Sequence, residues 1–369
     1  MGTQAYEKPL FFHLMEYARG AEGDVIDMVS GDPDWDAPPE IGAGLREFSR
    51  LGGAQFQYPP SEGLLELREE IAVREGVNTE NVVVTNGTGE ANYLAMAAAL
   101  DRGAGSEVLL TDPVYPYYPG KVDLLGGESQ YVPVDDEGGI DPEVVRERAS
   151  EETSLIVVNT PNNPTGAVYD ADTMAELVDV AEERDAIVLS DEVYSEFDFS
   201  NTFASALSID SEHRIVTNAV SKSMAITGFR VGYGVFPDEL VENAKTRHML
   251  VNVAGSRPAQ YAVCRALRNT DPEYYEATRK LLADRIDAFA DGLRRAGAEF
   301  VRPAGGFYVL ARFPDFPGTM ANTKRLIDEA GVAGTPGELF GTARADWMRF
   351  ALVTPEVEDA ARRLATFFE

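Results

Sequence analysis

Residues 154–194 read SLIVVNTPNNPTGAVYDADTMAELVDVAEERDAIVLSDEVY, two short apolar runs separated by an amphipathic segment. The runs LIVVN and AIVLS are apolar at consecutive positions, which is typical of strands covered by helices on both faces. The segment between them, 171–183, has apolar residues at helical spacing. A strand, a helix and a second strand in this order predict two parallel neighbours in one sheet.

The same alternation extends outward along the chain. We predict strands at 81–85, 107–111, 154–159, 187–190, 215–218 and 231–236, and helices at 64–74, 90–100, 115–125, 142–149 and 171–183. This order predicts an α/β domain with a mostly parallel central sheet flanked by helices.

The pattern changes after residue 271. We predict a long helix at 272–296, a strand in GGFYVLARF (305–313), a helix at 323–330, a strand in WMRFALV (347–353) and a helix at 357–368. These elements predict a smaller α+β domain. We therefore divide the chain into an arm that packs on the small domain (1–40), a large domain (41–270) and a small domain (271–369).

Composition excludes several classes of protein. The 369 residues include 32 Lys+Arg and 62 Asp+Glu, a net charge of −30, with 44% apolar residues. Such a chain is globular, and its charge repels nucleic acids and anionic membrane surfaces. Only six of the basic residues are Lys, which favours the hypothesis of a halophilic source. MGTQAYEKPL at the N-terminus lacks the apolar segment of a signal peptide, so we expect a cytoplasmic protein.

Cysteine and histidine are scarce. The single cysteine, Cys264, lies among apolar residues at helical spacing, so we expect a buried thiol without a chemical role. The three histidines form no metal-binding motif, and we predict no metal site.

Polar residues follow five of the predicted strands, where the ligand sites of open α/β sheets lie. The first such segment, NGTGEAN (86–92), is a glycine loop before a helix and could cradle a phosphate. Asn92 stands where a dinucleotide site would have its third glycine, although Asp112 could imitate the ribose-binding acid of that site. A simple tight turn remains the alternative reading of the loop.

Asp191 and Lys222 follow two further strands. Taken alone, Asp191 could be a helix cap or half of a salt bridge, and the nearby Tyr194 could be a core aromatic. Lys222, between two serines, is unusual at a strand end, and a desolvated lysine can form a Schiff base. A phosphate cradle, an aspartate and a lysine are together the protein groups that pyridoxal 5'-phosphate requires.

Three motifs then give the chain a family resemblance. NNPTG (162–166), DEVY (191–194) and SKSMAITGFRVGY (221–233) occur in the order typical of the aspartate aminotransferase superfamily. The likeness runs from SGDPDW (30–35) to WMRFAL (347–352). The chain resembles a class I/II aminotransferase with the pyridoxal-phosphate fold called fold type I.

The resemblance implies roles for single residues around the cofactor. Lys222 would form the Schiff base and shuttle a proton, and Asp191 would pair with the pyridine nitrogen. Tyr194 and Asn163 would bind the phenolic oxygen, and Tyr115 would stack on the ring. The phosphate would be held by Thr88, Gly89, Ser221, Arg230 and, from the second subunit of a homodimer with shared sites, Tyr58.

The substrate contacts are also implied by the resemblance. Arg349 would grip the α-carboxylate of the substrate as a bidentate pair, with Asn163 and the backbone of Gly31 beside it. The implied reaction moves an amino group from an L-amino acid to a 2-oxo acid, such as 2-oxoglutarate, by a ping-pong mechanism. One departure is Ala219, where many relatives have a serine, so one phosphate hydroxyl is missing.

Two alternatives compete with transamination. A lyase or decarboxylase could use the same fold, because this superfamily cleaves several bonds in one site. A non-enzymatic regulator would need a DNA-binding module, which neither the charge nor the sequence supports.

The amino donor is less defined. A dicarboxylic donor would need a second cation. We interpret Lys121, Arg247 and His248 as solvated surface charges and keep Arg257 as a candidate. An aromatic donor stays open because Tyr17, Trp35 and Tyr115 lie near matched positions.

Overall fold

We describe a computed structural model of the chain over residues 9–102 and 105–369. The first eight residues, which belong to the predicted signal-free N-terminus, lie outside this part. The helices are α1 (Leu10–Gly20), α2 (Pro39–Phe48), α3 (Leu65–Glu75), α4 (Thr88–Asp101), α5 (Tyr117–Leu124), α6 (Pro142–Arg148), α7 (Ala171–Glu183), α8 (Val220–Ser223), α9 (Asp238–Asn252), α10 (Arg257–Asn269), α11 (Pro272–Arg295), α12 (Met320–Ala330) and α13 (Val357–Phe368).

The strands belong to three sheets. They are β1 (Ile26–Asp27), β2 (Val82–Thr85), β3 (Glu107–Asp112), β4 (Glu128–Pro133), β5 (Thr153–Asn159), β6 (Ile187–Asp191), β7 (Arg214–Ala219), β8 (Gly232–Val235), β9 (Glu299–Phe300), β10 (Tyr308–Arg312), β11 (Val332–Ala333), β12 (Thr335–Pro336) and β13 (Met348–Ala351).

The large sheet has the order β2-β8-β7-β6-β5-β3-β4. Strands β4, β3, β5, β6 and β7 pair in parallel, whereas β8 runs antiparallel to both of its neighbours. One face packs on α4, α5 and α9 and the other on α6 and α7. The predicted α/β architecture with a mostly parallel sheet is confirmed, because the central strands β5 and β6 are buried at every position.

The small sheet, β12-β13-β10-β9, is antiparallel and packs on α11 and α13. The N-terminal arm contributes β1, which pairs in parallel with β11. Met28 then donates to Ala333 and accepts from Ala351, both at the backbone. The division of the chain at residues 40 and 270 stays a prediction.

The sequence reading missed several elements. Strand β4 is an edge strand with mostly exposed side chains, so it lacks the continuous apolar run of its neighbours. Helices α1, α2, α8 and α9 were not predicted either, and α10 was indicated only by the helical spacing around Cys264. Cys264, as predicted, is buried in the core formed with α3 and α10.

Among the described residues, no helix is long and apolar enough to cross a bilayer. A cytoplasmic location stays a prediction.

Candidate active site

Polar and aromatic side chains from the large sheet and the small sheet line one cavity of about 510 Å³. The cavity lies at the carboxyl ends of β2, β3, β5, β6 and β7. Of the residues predicted for the site, the cavity brings together Gly31, Thr88, Gly89, Tyr115, Asn163, Asp191, Tyr194, Ser221, Lys222, Arg230 and Arg349. Tyr58 does not line it. Strand ends that are distant in sequence converge here because β2, β3, β5, β6 and β7 all run in the same direction in one sheet.

Lys222 lies on the one-turn helix α8, directly after β7. Its Nζ donates to the backbone oxygen of Gly31 at 2.6 Å, so the amine reaches across the cavity to the N-terminal arm. A Cβ at residue 31 would collide with the hydroxyl of Tyr308, so the close approach of the arm requires glycine. The predicted neighbours Gly31 and Lys222 therefore touch directly.

Asp191 ends β6 on the floor of the cavity and is buried. Its Oδ2 accepts from Asn92 Nδ2 and from the Tyr118 hydroxyl, each at 2.7 Å, and its Oδ1 accepts from Val193 N at 3.2 Å. Burial raises the pKa of this carboxyl, while the donated hydrogen bonds act in the opposite direction. Within residues 9–102 and 105–369, no basic nitrogen lies within 4.0 Å of it.

The glycine loop turns into α4 at Gly87, whose φ of 83° lies in the left-handed region that glycine tolerates. Arg230 closes over this loop, donating from Nη2 to Asn86 O at 2.9 Å and from Nη1 to Thr227 O at 2.9 Å. The Oγ1 of Thr88 is buried without a hydrogen-bond partner. A hydroxyl, a guanidinium and the N-terminus of a fourteen-residue helix thus lie together at one end of the cavity, and all three are groups that bind anions.

Aromatic rings form one wall. The hydroxyl of Tyr194 lies 3.2 Å from that of Tyr308, and burial raises the pKa of Tyr194 well above its usual value. Tyr115 meets Tyr117 and Tyr118 edge-on, with ring centroids 5.0 and 5.5 Å away.

Arg349 forms the roof from β13 and is only 3% exposed. Its Nη2 donates to Val29 O at 2.6 Å and Thr335 Oγ1 at 3.1 Å, and its Nη1 donates to Asn163 Oδ1 at 3.1 Å. Burial lowers its pKa. In the described part of the chain, no carboxylate lies within 4.0 Å of this guanidinium, so it meets only neutral acceptors.

The guanidinium also lies against two aromatic rings. Its Cζ is 4.4 Å from the ring centroid of Tyr308 and 5.0 Å from that of Phe340. The guanidinium therefore makes cation–π contacts with both rings.

Two sequence interpretations were wrong. Lys121 is not a solvated surface charge: it is half-buried and lines the cavity, with Nζ 5.6 Å from the Tyr117 ring centroid. Burial lowers its pKa to about 8. His248 is fully buried and its Nδ1 lies 2.8 Å from Glu90 Oε1. Arg247 pairs with Asp101 near the surface, away from the cavity, as expected.

Tyr58 and Arg257 lie together outside the cavity of this chain. Tyr58 is 81% exposed, and its backbone oxygen accepts from Arg257 Nη2 at 3.0 Å. Arg257 Nη1 also donates to Gln55 at 2.9 Å. In this chain Arg257 therefore orders the 55–58 loop.

The cavity residues that sequence reasoning did not assign to the site include Asn92, Tyr118, Tyr308 and Phe340. Asn92 lies one turn into α4, which follows β2, and Tyr118 lies in the first turn of α5, which follows β3. Such positions are a readable signal for side chains that face a site. Tyr308 and Phe340 carry no comparable signal, because their strand and loop come from the other sheet.

Comparison with known proteins gives consistent results. The sequence model of the family described as "Aminotransferase class I and II" matches residues 23–364. The chain is 33% identical over 355 residues to the aspartate/prephenate aminotransferase of Thermus thermophilus, covering 93% of this chain and 90% of that protein. It is 31% identical over 372 residues to aromatic-amino-acid aminotransferase 2 of Thermococcus litoralis, covering 95% and 93%. A solved structure of a Thermus thermophilus aspartate aminotransferase single mutant superimposes with a TM-score of 0.91 at 31% identity, covering 99% of each chain.

Proposed function

Because the chain belongs to the class I and II aminotransferases, we propose that it moves the amino group of a dicarboxylic or aromatic L-amino acid to a 2-oxo acid, with pyridoxal 5'-phosphate as its cofactor. The observation that carries the proposal is the cavity itself. An amine, a buried carboxylate and a buried guanidinium face one space, and neither buried charge has an oppositely charged group within 4.0 Å among the described residues.

The donor set fits pyridoxal 5'-phosphate at both of its polar ends. The unpartnered hydroxyl of Thr88, the Arg230 guanidinium and the N-terminus of α4 suit a phosphate. Asp191, buried with neutral donors around it, suits a protonated ring nitrogen, since a buried carboxylate is stabilised by a cation.

When bound, the cofactor supplies an electron-accepting ring and an aldehyde to which an amino group can be transferred. The groups that would hold it are Asp191 at the ring nitrogen, Tyr194 and Asn163 at the phenolic oxygen, Tyr115 at the ring face, Lys222 at the aldehyde, and Thr88, Gly89, Ser221 and Arg230 at the phosphate.

Two residues would act on the substrate. Arg349 would exchange its contact with Asn163 for the α-carboxylate, which a guanidinium binds through two parallel hydrogen bonds. The amine of Lys222, beside the backbone of Gly31, would take the proton from the substrate Cα and return it later. Amino donor and 2-oxo acid would use the same space in turn, as a ping-pong reaction requires.

Two features of the cavity support a dicarboxylic or an aromatic amino donor. Lys121 is a cation inside the cavity and suits a second carboxylate. Phe11, Phe12 and Tyr117 line the same cavity and suit an aromatic side chain. The relatives named above as aspartate/prephenate and aromatic-amino-acid aminotransferases cover the same two classes.

A homodimer with shared sites is supported by exposed apolar residues at 250–253, in the segment before Arg257, whose guanidinium donates to the backbone oxygen of Tyr58. Leu250 is 77% exposed, and Val251, Val253 and Phe56 are also exposed. Val253 has a φ of 65°, a strained conformation for a β-branched residue. Burial of this segment by a second copy would remove apolar side chains from water and carry Tyr58 towards the partner's phosphate site.

A donor screen tests the function. The purified protein is loaded with pyridoxal 5'-phosphate and offered single amino acids without a 2-oxo acid, while cofactor absorbance is followed. We expect L-aspartate, L-glutamate or an aromatic amino acid to change the absorbance and release about one equivalent of 2-oxo acid per chain. Addition of 2-oxoglutarate should reverse the change.

Two results would contradict the proposal. Release of ammonia without a reversible change in absorbance would indicate an elimination instead of a transfer. If the purified protein does not bind pyridoxal 5'-phosphate, the cavity is not the cofactor site that we propose.

A further inference from the structure

The end of strand β3 and a loop of the small sheet are joined by a dense set of hydrogen bonds. Asp112, the last residue of β3, is 8% exposed. It faces residues 341–343, which lie between β12 and β13. The two segments are separated by about 230 residues in sequence, as the spacing of Asp112 and Thr342 shows.

Both carboxylate oxygens of Asp112 accept from this loop. The backbone N of Thr342 lies 3.1 and 3.2 Å from the two oxygens, and that of Ala343 lies 3.2 Å from each. The Thr342 hydroxyl adds a bond of 2.8 Å to Oδ2. A Cβ at residue 341 would collide with the carboxylate, so Gly341, with φ of 130°, lets the loop approach it.

The residue directly before this loop contacts Arg349, the arginine proposed to bind the substrate. Phe340, directly before Gly341, is buried, and its backbone oxygen accepts from Val114 N at 2.6 Å. Its ring centroid lies 5.0 Å from Arg349 Cζ, on a guanidinium that Tyr308 also contacts. Asp112 and Val114 thus fix both the loop and the ring that packs on Arg349.

We infer that Asp112 is a positioning residue: by clamping residues 341–343 it holds Phe340 against Arg349 and so sets the affinity for the α-carboxylate shared by both substrates. The inference rests on the proposed function, because it takes Arg349 as the carboxylate receptor. Asp112 itself does not line the cavity.

The hydrogen bonds from this loop require a carboxylate at residue 112. All three donors of the loop point at two oxygens that accept only. An asparagine would place an NH₂ group, which is a donor, against at least one N–H. Asp112→Asn keeps the shape of the side chain and removes both the charge and one acceptor.

The test compares Asp112→Asn with Asp141→Asn. Asp141 is an exposed aspartate whose Oδ1 accepts from Glu143 N at 2.9 Å, so the same change there removes a carboxylate–backbone contact at the start of α6. We expect the KM values of amino donor and 2-oxo acid to rise about tenfold in Asp112→Asn, since the variant loses hydrogen bonds to a charged group. The kcat and the cofactor affinity should stay within about threefold of the wild type, and Asp141→Asn should leave both KM values, kcat and cofactor affinity unchanged.

A second variant separates positioning from a general structural role. Phe340→Leu should raise the same KM values, and Asp112→Asn added to it should raise them by less than about threefold, because both changes remove one contact with Arg349. Equal KM values for Asp112→Asn and Asp141→Asn, multiplying effects in the double variant, or a loss of kcat alone would overturn the inference.

Calorimetric binding of 2-oxoglutarate gives a readout that does not depend on turnover. A wild type that fails the donor screen refutes the proposed function. A wild type that passes it, with Asp112→Asn binding 2-oxoglutarate as tightly as wild type, refutes only the role of Asp112.

Discussion

Asp191 on the floor of the cavity and Arg349 in its roof are both buried charges, yet the fold surrounds them differently. Asp191 accepts three hydrogen bonds from side chains and backbone that lie near strand ends of one sheet. Arg349 donates to the N-terminal arm, to β12 and to the NNPTG loop, and lies against rings from two further segments. The floor is built locally, whereas the roof is assembled from distant parts of the chain.

The difference suggests that the floor and the roof of the cavity bind different ligands. A floor that holds a carboxylate with neutral donors suits a ligand that stays bound, whereas a roof whose guanidinium has exchangeable neutral acceptors suits a ligand that comes and goes. The variants below test that division, starting with the residue that touches both regions.

Lys222→Ala should have the largest effect. Lys222 follows a strand of the floor and contacts Gly31 of the roof, so its loss removes the cofactor anchor and the proton carrier together. We expect kcat to fall by about 10⁴-fold or more, measured in the donor assay that the screen selects. Lys324→Ala, a lysine over the Tyr17 ring outside the cavity, is the matched control. If turnover of Lys222→Ala stays within about tenfold of the wild type, Lys222 is neither the cofactor anchor nor the proton carrier.

Asp191→Asn should come next and act on the chemical step. The amide keeps the contacts with Asn92 or Tyr118 in part but carries no charge to hold a proton on the ring nitrogen. We expect kcat to fall by about 10²–10³-fold, in the range of a lost electrostatic contact. Equal kcat for both proteins would leave Asp191 as a structural cap.

Arg349→Lys should act on substrate binding. The lysine keeps a charge but not the two-pronged donor set, so kcat/KM should fall by about 10–100-fold for both substrates. The measurement is steady-state kinetics with the amino donor and the 2-oxo acid varied separately. A fall for only one substrate would mean that the two do not share this receptor.

Lys121→Met should have the smallest effect and a distinctive pH dependence. The pKa of Lys121 is about 8, so the side chain is a cation below that pH and neutral above it. A carboxylate at this point binds the cation, so the wild-type KM for a dicarboxylic donor should be lowest below pH 8 and rise as the pH passes through it. In Lys121→Met the KM should be about tenfold higher below pH 8 and lose this rise.

An aromatic donor provides the control for Lys121. Its KM should change little in the variant, because an aromatic side chain needs no cation and the rings of Phe11 and Phe12 also line the cavity. Parallel changes for both donor classes would argue against Lys121 as a receptor of the second carboxylate.

The floor of the cavity was easier to predict from the sequence than the roof. The strands that end at Asn159, Asp191 and Ala219 show as apolar runs, so the residues at or just beyond their ends, Asp191 and Lys222 among them, could be placed at one edge of the sheet. The roof could not be assembled in this way. Nothing local marks Phe340 or Tyr308 as neighbours of Arg349, and the resemblance to a family supplied Arg349 itself.

Charges on helices were the least predictable. Lys121 and His248 read as solvated because a single sequence does not show which helix face meets a cavity or another helix. The structure buries His248 against Glu90 and turns Lys121 inward. The contact of Asp112 with residues 341–343 was equally unreadable, since it joins segments from the two sheets.

The central claim, that the floor holds the cofactor and the roof holds the substrate, is tested most directly by one crossed measurement. The dissociation constant of pyridoxal 5'-phosphate is determined by absorbance titration for Asp191→Asn and Arg349→Lys, beside the wild type. The account predicts at least about tenfold weaker cofactor binding for Asp191→Asn and an unchanged constant for Arg349→Lys. Wild-type affinity in Asp191→Asn, or loss of cofactor in Arg349→Lys, would contradict it.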